Sequence, residues 1–329
     1  MHYGKSVTDL ITLLKNEKYV YIQTHDFPDE DAVASAYALK FLFLRNGIDS
    51  RIVYAGEIQR GSLHRLIKEL SIDIKHAWEY KIKSSDRIVI VDGCKGNQNV
   101  SDLKGRNTAI IDHHPAVVEE KVDFYDVRTE YGSCATIIFK YFEELNIEMT
   151  QKVASALLAG ILVDTAHLTR RTSSEDVKAH AKIYTISDNL LVNTILRNNI
   201  QKKDLSFFKE ALQIARIQNG FAYCYFKSGC SQNLLGIIAD FLLTIEEVSF
   251  VFMCANNKGR INISLRSERI EWHCASIIHE VLEGIGVGGG HYDIAGGVIE
   301  DLNLFDENLI ISRLKDTLKR RRIELQSQE

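Results

Sequence analysis

Three short apolar runs that each end on acids or histidines constrain this chain most. YVYIQT (19–24) leads into HDFPDED, DRIVIVDG (86–93) carries Asp92, and NTAIIDHH (107–114) closes on Asp112, His113 and His114. Such runs suit strands buried on both faces, the kind found in parallel sheets. Helical patterns lie between and after them, at 5–17, 31–47 (stopped by Gly47), 61–70, 133–145 and 150–164. Strands alternating with helices predict an α/β fold: a parallel sheet with helices on both faces. Ligands in such sheets gather at the carboxyl ends of the strands, where this chain puts its acids and imidazoles.

The stretch 174–216 is helical in pattern and more polar, and reads as a connector. A second alternation follows, with strands at 221–226, 247–256 and 260–267 and helices in LLGIIADFLL and WHCASIIHEVLE. Two domains are expected, 1–200 and 215–329, the second a smaller α/β unit. Seven of the 20 glycines fall in 284–297, EGIGVGGGHYDIAGG.

The net charge of −4 argues against a strongly basic nucleic-acid coat but leaves room for a local basic pocket. The six cysteines are scattered with no CxxC pair, which reads as buried thiols in a reducing compartment. The N-terminal stretch is charged and amphipathic, unlike a signal peptide, and LLGIIADFLLTI (234–245) falls short of a membrane span. A soluble, cytoplasmic protein without membrane contact is expected.

Four constellations carry chemistry. In His25-x-x-x-Asp29-x-Asp31 an imidazole and two carboxylates at a strand-to-helix turn can face one point; the bland alternative is an Asp capping the helix. Asp92 ends a buried strand, where a carboxylate also serves as a turn former. Adjacent His113 and His114 point in different directions, and Pro115 keeps the backbone at His114 extended. Asp164 sits in the apolar helix LLAGILVDTAHL, where a carboxylate is costly unless paired or coordinating. Four carboxylates and two imidazoles suit two divalent cations. With no thiolate among them, Mn²⁺ or Mg²⁺ is favoured, with Co²⁺ as another candidate. Such a pair can clamp an in-line displacement at phosphorus.

THDFPDEDAVAS, VDG, DHHP and GILVDT, in that order, resemble the DHH phosphoesterase superfamily. GGGHYDIAGG resembles the glycine-rich signature of the DHH-associated C-terminal domain, and the two-domain length resembles the nanoRNase/pAp-phosphatase branch. The resemblance implies that His25, Asp29 and Asp92 hold one metal. It implies that Asp31, Asp92, His113 and Asp164 hold the other, with Asp92 bridging. His114 would lie beside the scissile phosphate and Asp112 would orient the site. Two metals would activate hydroxide for attack. Glu30 departs from the glycine common after the first Pro-Asp, and Gly93-Cys94-Lys95 departs from the small hydroxyl residue often found after Asp92.

In the second domain, Gly288, Gly289 and Gly290 can offer backbone N–H groups to an anion, and His291 can donate to a phosphate. Arg266 can grip a terminal phosphate and Ser267 can add a hydroxyl; a plain loop and a surface arginine are the competing readings. The expected activity is hydrolysis of short single-stranded oligonucleotides or of 3′-phosphoadenosine 5′-phosphate. Alternatives are a polyphosphatase, a cyclic or linear dinucleotide phosphodiesterase, or a non-catalytic phosphate-ligand module. A homodimer is compatible with this reading. Only two prolines occur, Pro28 and Pro115, against roughly sixteen in an average chain of this length. Both punctuate the metal-ligand loops.

Overall fold

The computed structural model describes residues 6–94, 99–115, 122–197, 200–269 and 272–326, with side chains through 321. Lys95 lies outside the described residues. The chain divides after residue 199 into two compact units.

The first unit opens with α1 (Val7–Leu14), β1 (Val20–Gln23), α2 (Glu30–Arg45), β2 (Ser50–Tyr54), α3 (Gly61–Leu70) and β3 (Ile74–His76). It continues with β4 (Arg87–Val91), β5 (Arg106–Asp112), β6 (Phe124–Val127), α4 (Cys134–Leu145), α5 (Gln151–Asp164), α6 (Ser174–Tyr184) and α7 (Asn189–Arg197). Its six strands form a wholly parallel sheet in the order β3-β2-β1-β4-β5-β6. The chain steps outward from β1 to β3, then returns to lay β4 on the other side of β1. The direction of winding reverses between β1 and β4, and the loops leaving their carboxyl ends diverge there.

Alternate residues of each strand serve different cores. Val20, Ile22, Ile52, Val89, Val91, Ala109 and Ile111 pack with the apolar stripes of α1 to α7. Tyr21, Val53, Ile88, Ile90 and Ile110 pack instead against Ala77, Cys94 and Val100. Among the described residues this second face is covered by a short 3₁₀ turn (Ala77–Glu79) and by loops. The expected helices therefore gather on one face of this sheet. The reason is connectivity: the helical crossovers link β1, β2 and β3, whereas described residues of the links after β4 and β5 hold no helix. The stretch expected to be a connector begins inside this unit, because Ala179, Ile183, Val192 and Ile195 of α6 and α7 belong to the same core.

The second unit is smaller. It runs α8 (Leu205–Ile214), β7 (Arg216–Gln218), β8 (Phe221–Phe226), α9 (Gln232–Leu243), β9 (Phe250–Asn257) and β10 (Arg260–Ser267). Then come α10 (Cys274–Leu282), β11 (Val287–Gly290), β12 (Ile294–Ile299) and α11 (Glu307–Gln326). The mixed sheet has the order β11-β12-β10-β9-β8-β7, with β8 and β9 parallel and the other pairs antiparallel. α9 packs on one face, and α10 and α11 on the other. The glycine-rich segment is a strand pair here. A Cβ on Gly288 would meet Ile278 Cγ1 at 2.5 Å, and one on Gly297 would meet Leu282 Cδ1 at 2.6 Å. Glycine at both positions lets α10 lie close to the ribbon. Among the described residues no helix is long and apolar enough to cross a membrane.

Candidate metal centre

The reversal between β1 and β4 brings the acids and imidazoles of the first unit together. His25 follows β1, and Asp29 caps α2 by accepting hydrogen bonds from the Asp31 and Ala32 amides at 3.1 Å each. The capping role is real, and the same oxygen stands 3.9 Å from His25 Nε2. Asp31, in the first turn of α2, accepts from the Cys134 and Ala135 amides at 2.7 and 2.8 Å. These are amides of the α4 N-terminus, where a carboxylate is favoured. Asp92 leaves β4 with φ +54°, a left-handed conformation that Asp tolerates better than most residues. Asp164 is the last residue of α5, and the three residues Ala166, His167 and Leu168 just beyond it are also left-handed. Backbone strain of this kind gathers at functional sites.

Three donor groups result, each with its ligand atoms within 4.8 Å of one another: His25, Asp29 and Asp92; Asp31, His113 and Asp164; and Asp92, His113 and His114. His25 Nε2 is 3.8 Å from Asp92 Oδ2. His113 Nε2 lies 3.3 Å from Asp92 Oδ1, 3.2 Å from Asp164 Oδ2 and 3.9 Å from Asp31 Oδ2. Asp92 thus belongs to two groups, with Oδ2 facing His25 and Oδ1 facing both His113 and, at 3.6 Å, His114 Nδ1.

The donors fit divalent cations. His113 Nε2 and Asp92 Oδ1 are buried and have no hydrogen-bond partner among the described residues. Buried polar atoms are otherwise nearly always satisfied. The His113 Nδ1 atom lies 3.3 Å from the Tyr131 carbonyl. A proton on Nδ1 leaves Nε2 as the ligand atom, the usual arrangement of a metal-binding histidine. Oxygen and imidazole donors without thiolate suit Mn²⁺ or Mg²⁺.

Without cations the centre is electrostatically crowded. Burial, then the charges of Asp92 and Asp164, hold the Asp31 carboxyl well above the usual range against the opposing pull of His113. Burial also raises Asp92, again opposed by His113. His113 is raised well above an ordinary histidine: burial works against its protonation, but Asp164 and Asp92 outweigh it. Asp29 moves the other way; burial opposes ionisation, and His25 and Arg60 overcome it.

Asp112 is fully buried and organises the turn. Its Oδ1 accepts from the His113 amide at 2.8 Å, the His114 amide at 3.1 Å and His114 Nδ1 at 2.8 Å. His114 is raised above an ordinary histidine, because Asp112 and Asp92 overcome burial and the charge of His113.

The second-unit candidates are placed differently from expectation. Arg266 donates from Nε to Asp240 at 2.7 Å and from Nη1 to Ser264 at 2.9 Å. It is thus an anchored arginine, not a surface one. Ser267 is buried; its hydroxyl donates to the Arg269 carbonyl and accepts from the Arg269 amide, both at 3.0 Å. The hydroxyl shapes a turn instead of facing a ligand, because its donor and acceptor are both engaged locally. Gly288, Gly289 and Gly290 form the edge strand β11 in place of a loop. The His291 amide donates to the Ile294 carbonyl at 2.6 Å, closing the β11–β12 turn.

Some supporting residues carried no sequence signal. Asp26 ties three strand ends together: its carboxylate accepts from the Ser101 amide and hydroxyl at 3.0 and 2.7 Å, its amide donates to Asn99 and its carbonyl accepts from Glu57. Only its neighbour His25 could have drawn attention to it. Gly160 of α5 faces Asp31, and a Cβ there would stand 2.8 Å from Asp31 Oδ1 and 3.1 Å from Ala135 Cβ. Gly160→Ala would ordinarily stabilise a helix interior by about 1 kcal/mol. Here it is expected to lower thermal stability and to weaken Mn²⁺ binding about tenfold, since Asp31 must move. Titration calorimetry and thermal unfolding check both.

Residues 19–161 match the DHH family, N-terminal domain, and residues 218–320 match the DHHA1 domain. An uncharacterized protein of Methanocaldococcus jannaschii is 32% identical over 279 residues, covering 84% of this chain and 57% of that protein. A probable manganese-dependent inorganic pyrophosphatase of Lactobacillus acidophilus is 30% identical over 169 residues, covering 50% of this chain and 54% of that protein. The chain thus spans little more than half the length of these two relatives. An exopolyphosphatase-related protein from Bacteroides fragilis has a solved structure that matches with a TM-score of 0.81 at 16% identity, covering 97% of each chain. That is a likeness of fold.

Proposed function

The chain belongs to the DHH superfamily, with a DHHA1 domain following the DHH domain, and from that premise we propose a two-metal phosphoester hydrolase acting on short oligonucleotides and 3′-phosphoadenosine 5′-phosphate. One observation carries this reading: the donor groups share residues, with Asp92 in two and His113 in two. Shared ligands favour cations close enough to act on one phosphoryl group. His25, Asp29 and Asp92 hold one ion; Asp31, Asp92, His113 and Asp164 hold the other. Mn²⁺ is the preferred ion. When bound, such ions supply Lewis acidity at phosphorus and make water more acidic.

The chain's own residues do the rest. Asp112 fixes the His114 ring through Nδ1, which leaves Nε2 to carry the mobile proton. Held in this way by Asp112, the His114 ring is oriented to pass a proton to the leaving oxygen. Residues 1–200 form the catalytic domain. Residues 215–329 form the substrate-binding domain, with Arg266, Gly288, Gly289, Gly290 and His291 as the candidates for holding a far, terminal phosphate of the substrate.

The pyrophosphatase likeness covers only half of the chain, and a DHHA1 domain occupies 218–320. This favours a nucleotide substrate over pyrophosphate. An assay with Mn²⁺ should compare dinucleotides, longer RNA and DNA, 3′-phosphoadenosine 5′-phosphate, polyphosphate, pyrophosphate and cyclic dinucleotides. Fastest turnover is expected on dinucleotides and 3′-phosphoadenosine 5′-phosphate. Preference for polyphosphate or pyrophosphate would replace the substrate assignment. Bound Mn²⁺ with no turnover on any of them would leave a binding module.

A further inference from the structure

Glu30 has no place in the ligand set, yet it is 1% exposed and sits between Asp29 and Asp31. A carboxylate buried beside other carboxylates needs a dedicated cation. Arg60, the residue before α3, supplies it: Nη1 donates to Glu30 Oε2 at 3.0 Å. Arg60 Nη2 stands 3.9 Å from Asp29 Oδ2, and Asp29 Oδ1 is the oxygen that faces His25. The arginine side chain remains 40% exposed. Its Nε and Nη2 make no hydrogen bond among the described residues. A buried anchor therefore holds a guanidinium at the rim of the His25–Asp29–Asp92 group with donors to spare. Guanidinium forks match phosphate oxygens, and fixing one beforehand lessens the entropy lost on binding.

We propose that Arg60 is a phosphate subsite of the centre, gripping a non-bridging oxygen of the bound phosphoryl group, and that Glu30 is its positioning residue. The inference rests on the phosphoester-hydrolase reading. The competing role is plain charge balance, in which Arg60 only offsets Glu30 and Asp29.

The test uses the full chain loaded with Mn²⁺ and inorganic phosphate as the probe, by calorimetry, with Mn²⁺ stoichiometry followed by electron paramagnetic resonance. Arg60→Gln is expected to bind phosphate at least tenfold more weakly with the Mn²⁺ stoichiometry kept, and to raise KM more than it lowers kcat. The double variant Glu30→Gln/Arg60→Gln is expected to stay as weak as Arg60→Gln. Arg60→Lys keeps the charge over Glu30 but loses the fork; it serves if the glutamine variant does not fold, and is also expected to bind phosphate more weakly. Phosphate affinity of Arg60→Gln within tenfold of wild type overturns the subsite, as does recovery of wild-type affinity in the double variant. Phosphate binding needs no turnover. A chain that binds phosphate through Arg60 but hydrolyses no phosphoester defeats the hydrolase reading alone.

Discussion

Asp92→Asn is expected to remove metal-dependent hydrolysis by about a thousandfold or more while the fold survives. Asp92 contributes to two of the three donor groups. Its loss would disturb both cations that these groups would hold, and such ions would contribute several kcal/mol to the transition state, with each 1.36 kcal/mol worth tenfold in rate. Asparagine is the better probe because Asp92 has φ +54°. Alanine in that conformation costs about 1–2 kcal/mol of backbone strain, whereas asparagine adopts it readily. Asp92→Ala would therefore mix a folding defect with the chemical one. In the metal-free state the asparagine variant should be at least as thermally stable as wild type, since one of the crowded carboxylates is gone. Kinetics with Mn²⁺ and unfolding in chelator measure the two expectations. Normal turnover would sink the two-metal scheme.

Removing the metal is expected to have the second large effect. Chelation should abolish activity. Saturating Mn²⁺ at a hundred times its dissociation constant should stabilise the fold by about 2.7 kcal/mol. The effect should depend on pH, with a definite sign. Asp31, Asp92 and His113 have raised pKa values in the metal-free fold, so they hold protons that a cation must displace. Their contribution to metal-free stability is fully present below their unfolded-state pKa values. It is lost as pH rises through the folded ones. Asp29 is shifted down and gives the opposite slope, at more acidic pH. Mn²⁺ affinity should therefore climb from pH 6 to pH 8, and so should the difference in Tm between loaded and chelated protein. Binding should release protons, which calorimetry in buffers of different ionisation enthalpy detects. Affinity independent of pH across that range would contradict the protonated, metal-free centre.

The candidate donors were legible because strand ends are local. A buried strand is a short apolar run, and the residues just beyond its carboxyl end are fixed by chain continuity; thus His25, Asp92, Asp112 and His113 stood out. Asp164 stood out because a carboxylate in an apolar helix is anomalous. That the described helices of the first unit gather on one face of its sheet was not legible, since the face a helix covers depends on the order in which the strands are laid down and not on the helix's own stripe. The strand nature of 287–299 was hidden because glycine carries no periodicity to read. Ser267 looked like a ligand for its neighbour Arg266, and its hydroxyl turns out to hold its own turn.

What the sequence determines alone is the donor chemistry: carboxylates and imidazoles at the ends of parallel strands, in a fixed order along the chain. What only the tertiary structure decides is which of them meet, and what surrounds them. The reversal of winding sets His25 and Asp92 just beyond the ends of neighbouring strands, and the Cys134 amide of α4 reaches Asp31 across 103 residues of chain. Glu30 finds Arg60 thirty residues away, and Gly160 leaves the room that Asp31 occupies. Spacing along a chain limits local geometry, whereas contacts between distant elements depend on packing, which leaves no mark at either residue until both are in place.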